Sequence, residues 1–113
     1  REPYAVGLAD RRLMALAGLW ETWRSPAGER VRSFAIITTT ANPLLAPVHD
    51  RMPVILAAEN WPVWLGERAA DAEELKSLLV PYPVEDMVIW PVDKRVGNVN
   101  NKDPSLIEPA VVA

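Results

Sequence analysis

Three side chains in this sequence have the chemistry to move protons or to hold an anion. Glu21 lies between Trp20 and Trp23, and the single histidine, His49, lies two residues before Arg51. An imidazole has a reference pKa of about 6.5 and exchanges protons near neutral pH. A guanidinium binds phosphate through two parallel N–H groups. The three residues therefore predict a site for proton transfer on an anionic ligand, although the sequence contains no cysteine to act as a thiol nucleophile.

Each of these side chains also has a simpler interpretation. Glu21 follows an apolar run, and burial there would raise its proton affinity because burial disfavours the charged form. Position alone favours a strand-end glutamate that reaches solvent, since long charged side chains are rarely buried unpaired. His49 could cap a backbone group in a proline-flanked loop, and Arg51 could pair with Asp50 or Glu21. The sequence leaves these alternatives open.

Three further residues are candidates for contact with a nucleic acid. Trp20 offers a flat surface on which bases stack, and Thr38 offers a hydroxyl in a threonine run that leads toward His49. Asn98 lies in a basic, amide-rich loop between Lys94 and Lys102 that could follow a sugar-phosphate backbone. The commoner outcomes are strand-forming threonines and a solvated loop. We expect no metal site, because one histidine and no cysteine leave only carboxylates as ligands, and no cofactor.

The composition of the chain limits the classes of function. At 113 residues it supports one domain, and 50% hydrophobic with 24% charged residues is typical of globular proteins. The formal net charge of −3 means that any nucleic-acid contact must come from a local basic cluster. No apolar run approaches the ~20 residues that span a bilayer, so no membrane partner is expected. The sequence begins without Met or a signal pattern, which we interpret as a fragment.

The elements that must position these residues are short. Eleven prolines interrupt nearly every apolar run, which favours strands and bends over a helical bundle. The pattern predicts an α+β fold dominated by β-structure. The predicted strands are Tyr4–Ala9, Leu13–Trp20, Val31–Thr40, Met52–Leu56 and Met87–Val92, and the predicted helices are Glu59–Leu65 and Asp71–Leu79.

Several expectations concern how these elements connect. Asp10–Arg12 predicts a hairpin turn between the first two strands, and apolar residues on both faces of Leu13–Trp20 predict a strand buried on two sides. Gly18 is expected to mark either a bulge or a close approach of another backbone. Ser25–Glu29 has the residue chemistry of a turn. A hydrophobic tail is expected over Leu106–Val112.

Four segments resemble, in order, the conserved segments of one protein family. Ala17–Trp23 resembles its Ala-Gly-Phe/Leu-Tyr/Trp-Glu-x-Trp segment, and Phe34–Asn42 resembles its Thr-rich strand ending in Ala-Asn. His49–Leu56 is similar to its His-x-Arg-Met-Pro signature, and Val96–Asn101 with Leu106–Pro109 resembles its closing segment. By these segments the chain resembles the C-terminal half of the domain of the SOS response-associated peptidase (SRAP) family.

The resemblance implies a fold and an activity for the complete domain. The family fold is a β-rich pseudobarrel related to PUA-like domains, of which residues 1–113 would form the C-terminal half. An N-terminal cysteine, exposed by removal of the initiator Met, attacks the ring-opened aldehyde of an abasic site in single-stranded DNA. Its α-amine forms a Schiff base, and its thiol then closes a thiazolidine ring. That cysteine is absent here, so the 113 residues alone are expected to be inactive.

Residue roles follow from the same resemblance. Glu21 would orient the amine and exchange protons with it, His49 would assist Schiff-base formation and sugar ring opening, and Arg51 would contact the DNA backbone. The partners implied are single-stranded DNA with abasic sites and the N-terminal half of the same domain. The complete protein is expected to be a monomer in the bacterial cytoplasm. The alternatives are a non-catalytic PUA-like nucleic-acid-binding module and an inactive fragment without a ligand.

Overall fold

The computed structural model of the chain describes residues 2–110 and consists mostly of strands with two short helices, which confirms the predicted fold class. Its strands form four two-stranded antiparallel sheets, which do not close into a barrel within these residues. None of its helices is long and apolar enough to cross a membrane. The strands are β1 (Tyr4–Leu8), β2 (Ala15–Leu16), β3 (Gly18–Arg24), β4 (Arg30–Ile36), β5 (Thr38–Thr40), β6 (Arg51–Pro53), β7 (Ile55–Leu56) and β8 (Met87–Pro91). The helices are α1 (Trp61–Trp64) and α2 (Ala72–Ser77).

The chain divides into two compact units, and the first unit is made from the two chain ends, up to Leu13 and from Pro83 onward. Its sheet pairs β1 with β8, from Tyr4 opposite Pro91 to Leu8 opposite Met87. The buried side chains of this unit are Leu8, Met87, Val92 and Leu106. The predicted hydrophobic tail begins inside a 3₁₀ turn over residues 104–107, while its residues 111 and 112 lie outside the described part of the chain.

The predicted hairpin between the first two strands is wrong. Arg11 donates its N–H to the carbonyl of Leu8 at 2.9 Å and adopts a positive φ of 64°, so the chain does turn at Asp10–Arg12. However, β1 pairs with β8, and β2 pairs with β7. Local turn chemistry identified the bend correctly. It carries no information about which distant strand supplies the hydrogen-bonding partner.

The second unit, Met14–Tyr82, contains the β3–β4 hairpin. Its turn is the predicted one: the Ser25 N–H donates to the carbonyl of Glu29 at 2.7 Å, and Gly28 occupies the left-handed region with a φ of 86°. A Cβ at Gly18 would lie 3.4 Å from the carbonyl oxygen of Ala35, at the edge of ordinary van der Waals contact, so the neighbouring backbone is near Gly18 without excluding a side chain.

A three-way backbone junction joins the sheets of the second unit. The Ala17 N–H donates to the carbonyl of Val54 at 2.8 Å, the Val54 N–H to Ile37 at 2.9 Å, and the Ile37 N–H to Ala17 at 2.9 Å. Three strands that were predicted as continuous are each interrupted at one of these three residues, because the strand with which they pair changes there. They are Leu13–Trp20, Val31–Thr40 and Met52–Leu56. Ala17 and Val54 are completely buried. The β3–β4 hairpin and the β5–β6 pair therefore both extend from this buried junction.

Both predicted helices are present in shorter form, and one side of the junction is covered by α1 and by the residues that follow α2. Trp64 of α1 packs against the buried cluster around Ala17 and Val54, as do Leu78 and Leu79 beyond α2. The Trp64 indole N–H donates to the carbonyl of Gly18 at 3.2 Å. Helix α2 begins at Asp71, whose carboxylate accepts the N–H of Glu74 at 2.8 Å.

The expectation that Leu13–Trp20 is buried on both sides is also wrong. Leu13 is 89% exposed and Trp20 is 66% exposed, whereas Ala17 at the junction is fully buried. All of β4 and all of β3 after Gly18 are exposed. The β3–β4 hairpin is consequently a two-stranded ribbon whose two faces are both accessible among the described residues.

Candidate functional site

Arg51 and Thr38 are brought together on one face of the β5–β6 pair. Thr39 pairs with the buried Met52, so the face of the pair that carries these two side chains points into the core. The opposite face carries the exposed side chains of Thr38, Thr40 and Arg51. Arg51 reaches diagonally across the pair, and its Nη2 donates to the carbonyl of Thr38 at 2.9 Å and to the hydroxyl of Thr38 at 3.2 Å. The guanidinium is thereby fixed through Nη2, and its Nε and Nη1 groups make no hydrogen bond within residues 2–110.

His49 lies at the start of the same strand pair, at the end of the turn over residues 43–48. Its N–H donates to the carbonyl of Leu45 at 3.0 Å, which closes that turn. Its ring Nδ1 accepts the N–H of Arg51 at 3.1 Å and lies 3.2 Å from an oxygen of Asp50. The structure thus groups His49, Arg51 and Thr38. Arg51 contacts Thr38, and it forms no ion pair with Asp50 or Glu21 within residues 2–110.

Asn42 is a positioning residue that was not predicted from the sequence. It is only 4% exposed, its carboxamide nitrogen donates to the carbonyl of Tyr82 at 2.8 Å, and its side-chain oxygen accepts the Leu45 N–H at 3.0 Å. It therefore anchors the turn that carries His49. In the sequence, Asn42 stands before Pro43 at the end of a β-branched run. This pattern predicts a turn but does not predict that the asparagine side chain is buried.

Glu21 occupies the middle of β3, directly opposite Ser33. Its face of the hairpin carries three aliphatic neighbours and an indole, because residues directly opposite each other and two apart share a face. Glu21 is exposed, which agrees with the interpretation of a glutamate that reaches solvent, although it lies inside the strand and not at its end. An open depression of about 380 Å³ borders it. This face, which we call the Glu21 face, consists of Leu19, Glu21, Trp23, Val31, Ser33 and Ala35.

Trp20 points away from Glu21, since neighbouring residues of a strand lie on opposite faces. It is paired with Phe34, which is 76% exposed, and the Arg32 guanidinium lies 4.9 Å from the centre of its ring. This second face contains two aromatic rings and three arginines without a carboxylate. We call it the aromatic–arginine face, and its residues are Gly18, Trp20, Thr22, Arg24, Arg30, Arg32, Phe34 and Ile36.

Asn98 belongs to the first unit, whereas His49, Arg51 and Thr38 belong to the second. Its N–H donates to the carbonyl of Arg95 at 3.1 Å, and its side-chain oxygen accepts the N–H of Asn100 at 3.0 Å. Asn101 also donates to the carbonyl of Arg95, at 2.9 Å. These asparagines are used to shape their own loop, although Asn98 remains exposed.

The remaining tryptophans have structural contacts. The indole N–H of Trp61 donates to the carbonyl of Leu56 at 3.0 Å, and that of Trp90 donates to the carbonyl of Ile107 at 2.7 Å. Residues 2–110 contain no group of three or more His, Cys, Asp or Glu side chains arranged to hold a metal ion. The chemistry that the second unit can offer is therefore that of a fixed guanidinium, an imidazole and an exposed carboxylate.

Comparison with known proteins identifies the fold and the family. A family model described as SOS response associated peptidase (SRAP) matches residues 1–99. The abasic site processing protein YoqW of Bacillus subtilis (strain 168) is 42% identical over 106 residues, which are 94% of this chain and 47% of the relative. The abasic site processing protein HMCES of Rattus norvegicus is 34% identical over 100 residues, covering 88% of this chain and 28% of that protein.

A solved structure of a protein from Bacteroides thetaiotaomicron is similar with a TM-score of 0.85 and 30% identity, covering 97% of this chain and 49% of that one. The chain spans about half the length of the bacterial relatives it matches. The match of the family model over most of the sequence carries the assignment. The chain belongs to the SRAP family.

Proposed function

We propose that this chain is part of a protein that processes abasic sites in single-stranded DNA by forming a covalent link to them. The observation that carries the proposal is the exposed group of His49, Arg51 and Thr38, in which Thr38 fixes the guanidinium. A guanidinium held in one orientation binds a phosphate oxygen pair with less loss of side-chain freedom than a mobile one. The names of the relatives, which are abasic site processing proteins, support the same activity.

The chemistry is shared between this chain and a segment that the sequence does not contain. The chain has no cysteine, so the α-amine and thiol that would form the Schiff base and the thiazolidine belong to the N-terminal half of the domain. An α-amine has a reference pKa of about 7.7–8.0, so a fraction of it is neutral near pH 7, and a nearby carboxylate such as Glu21 can exchange a proton with it. Removal of the initiator Met exposes that amine. We propose a monomer in the bacterial cytoplasm with the two halves in one domain.

The apolar residues of the hairpin support the need for that second half. Leu19, Trp23 and Val31 on the Glu21 face are 59%, 55% and 45% exposed, and an isolated two-stranded ribbon is only marginally stable in water. A covering segment would stabilise the hairpin and bring the amine toward Glu21.

The test is to incubate the complete domain with a single-stranded oligonucleotide that carries one abasic site and to look for a heat-stable shifted band. We expect a crosslink with the wild type, a loss of at least about tenfold in its rate with Glu21→Gln, and little change with Glu29→Gln. Glu29 is an exposed glutamate of the same hairpin, at its turn, and is the matched control. Absence of a crosslink with the wild type, where another abasic site processing protein gives one, would contradict the proposal.

A second candidate function is reversible binding of single strands by a module without the covalent chemistry. The aromatic–arginine face favours it, because aromatic rings stack on bases while arginines bind phosphates. This function predicts binding of the chain to an undamaged oligonucleotide that weakens steeply with salt and with Arg32→Gln. The control is Arg68→Gln, since Arg68 pairs with Glu74 at 3.2 Å away from the hairpin. Binding that depends on an abasic site would contradict the second candidate.

A further inference from the structure

The N–H of Arg51 is directed away from the β5–β6 ladder. The Ala41 N–H donates to the carbonyl of Asp50 and the Val54 N–H to that of Ile37, so hydrogen-bonded and non-hydrogen-bonded pairs alternate between these two positions. The pair of Thr40 with Arg51 is of the second kind. The Arg51 N–H therefore has no partner in β5. It donates instead to Nδ1 of His49, at 3.1 Å.

That hydrogen bond determines where the imidazole carries its proton. A nitrogen that accepts an N–H must keep its lone pair, so Nδ1 is unprotonated, and a neutral ring then has its hydrogen on Nε2. An oxygen of Asp50 lies 3.2 Å from the same Nδ1 and would need the opposite arrangement, with Nδ1 as the donor. One nitrogen of a neutral ring cannot satisfy both neighbours.

The exposure of Asp50 decides between the two arrangements. Its side chain is 90% exposed, so its carboxylate is satisfied by water and gains little from an ion pair at the surface. The Arg51 amide has a directional acceptor in Nδ1, in an i to i+2 turn of the backbone that also fixes the plane of the ring. The backbone contact is the stronger of the two.

We propose that neutral His49 is held as the Nε2–H tautomer, with the Arg51 backbone amide as the positioning group, and that it serves as a hydrogen-bond donor and not as a base. A base at this position would need a free lone pair on Nε2. The ligand therefore meets donors from both residues, Nε2–H from His49 and the outer N–H groups of Arg51. This pairing fits an oxygen-rich ligand such as a sugar beside a phosphate, and leaves proton abstraction to Glu21.

The tautomer can be measured without DNA, so its outcome does not depend on the proposed function. The chain has one histidine, and a ¹⁵N-labelled sample therefore gives one set of ring signals in a long-range ¹H–¹⁵N correlation spectrum recorded where the ring is neutral. We expect Nε2 to be protonated and a scalar coupling across the hydrogen bond between the Arg51 amide nitrogen and Nδ1. We also expect a ratio of Nε2–H to Nδ1–H about fivefold above that of the same chain in urea, which corresponds to about 1 kcal/mol. A predominant Nδ1–H form, or no coupling and an unchanged ratio, would overturn the inference.

Three variants separate the backbone contact from its neighbours. Arg51→Ala keeps the amide and should keep the coupling, and Asp50→Asn should leave the tautomer unchanged. Arg51→Pro removes the donor while leaving the ladder intact, because proline is tolerated where the N–H points out of the sheet, and the ratio should fall to its value in urea. A shift toward Nε2–H in Asp50→Asn would assign control of the ring to the carboxylate instead. If the proline variant does not fold, the other two still decide.

The donor role has its own test in the complete domain. Glutamine can donate from its amide but cannot exchange protons near neutral pH, so His49→Gln should form the crosslink at least about tenfold faster than His49→Ala. Equal rates of the two variants would contradict the donor role while leaving the tautomer standing. A failure of all forms, including the wild type, to crosslink would contradict the proposed function and not the tautomer.

Discussion

The three-way junction gives the sharpest prediction for stability, through Val54→Ala. Val54 is completely buried, and its N–H and carbonyl both take part in the junction. The substitution removes two buried methyl groups, worth about 1.6 kcal/mol at about 0.8 kcal/mol each. A cavity of about 50 Å³ that does not collapse adds about 1.2 kcal/mol at about 24 cal/mol per Å³. We therefore expect the free energy of unfolding to fall by about 3 kcal/mol.

The assay for Val54→Ala is urea denaturation followed by tryptophan fluorescence, because Trp64 packs against the junction. The matched control is Val99→Ala, since that side chain is 82% exposed and the same substitution there should change the free energy by less than about 0.5 kcal/mol. Equal effects of the two substitutions would refute the assignment of Val54 to a rigid buried junction. An effect below about 1 kcal/mol with an unchanged dependence on urea would do the same.

Three more predictions concern contacts around the site and in the first unit. Asn42→Ala should lower the free energy of unfolding by about 1–3 kcal/mol, because the Tyr82 carbonyl loses its carboxamide donor. The Leu45 N–H loses its side-chain acceptor and keeps the Asn42 carbonyl, so hydrogen exchange at the Leu45 amide should quicken in parallel. A double-mutant cycle of Trp20→Ala and Arg32→Ala should give a coupling of about 0.5–1 kcal/mol, typical of an exposed cation–π pair, and a coupling near zero in low salt would contradict the contact. The pKa of Asp103 lies below its ordinary value, chiefly because the Ser105 hydroxyl donates to its carboxylate. Ser105→Ala should raise that pKa, which can be followed through the carboxyl carbon chemical shift of Asp103. Because the folded-state pKa is lowered, the stabilising effect of the contact is present above the unfolded-state pKa and is lost as the pH falls through the folded-state pKa.

Local features of the fold could be predicted from the sequence, and long-range pairings could not. The turn at Ser25–Glu29, both short helices and β8 follow from residue chemistry and periodicity. The run Val31–Thr40 reads as one strand because every residue in it favours strand structure. Nothing local in Ile37 reveals that its partner changes there, since that change is set by Ala17 and Val54 from distant parts of the chain.

The candidate site shows the same division. The family segments predicted His49 and Arg51 as site residues, and the pleat explains why Trp20 and Glu21 lie on opposite faces. The contact between Arg51 and Thr38 depends on the register of β5 with β6, which no local pattern contains. The burial predicted for Leu13–Trp20 was wrong. An apolar segment indicates a surface that is stable when another segment packs on it, but the segment does not indicate which part of the protein packs there.

The discontinuous first unit has a consequence for the order in which the chain folds. Pairing Leu8 with Met87 closes a loop of 79 residues, whereas pairing Arg24 with Arg30 closes one of 6. The longer closure costs about 2 kcal/mol more in chain entropy. The hairpin and the junction are contained in one continuous stretch of the chain that leaves the ribosome before β8 does. They can therefore form while β1 is not yet paired with β8. We expect the β1–β8 sheet to be the last to gain protection from hydrogen exchange during refolding.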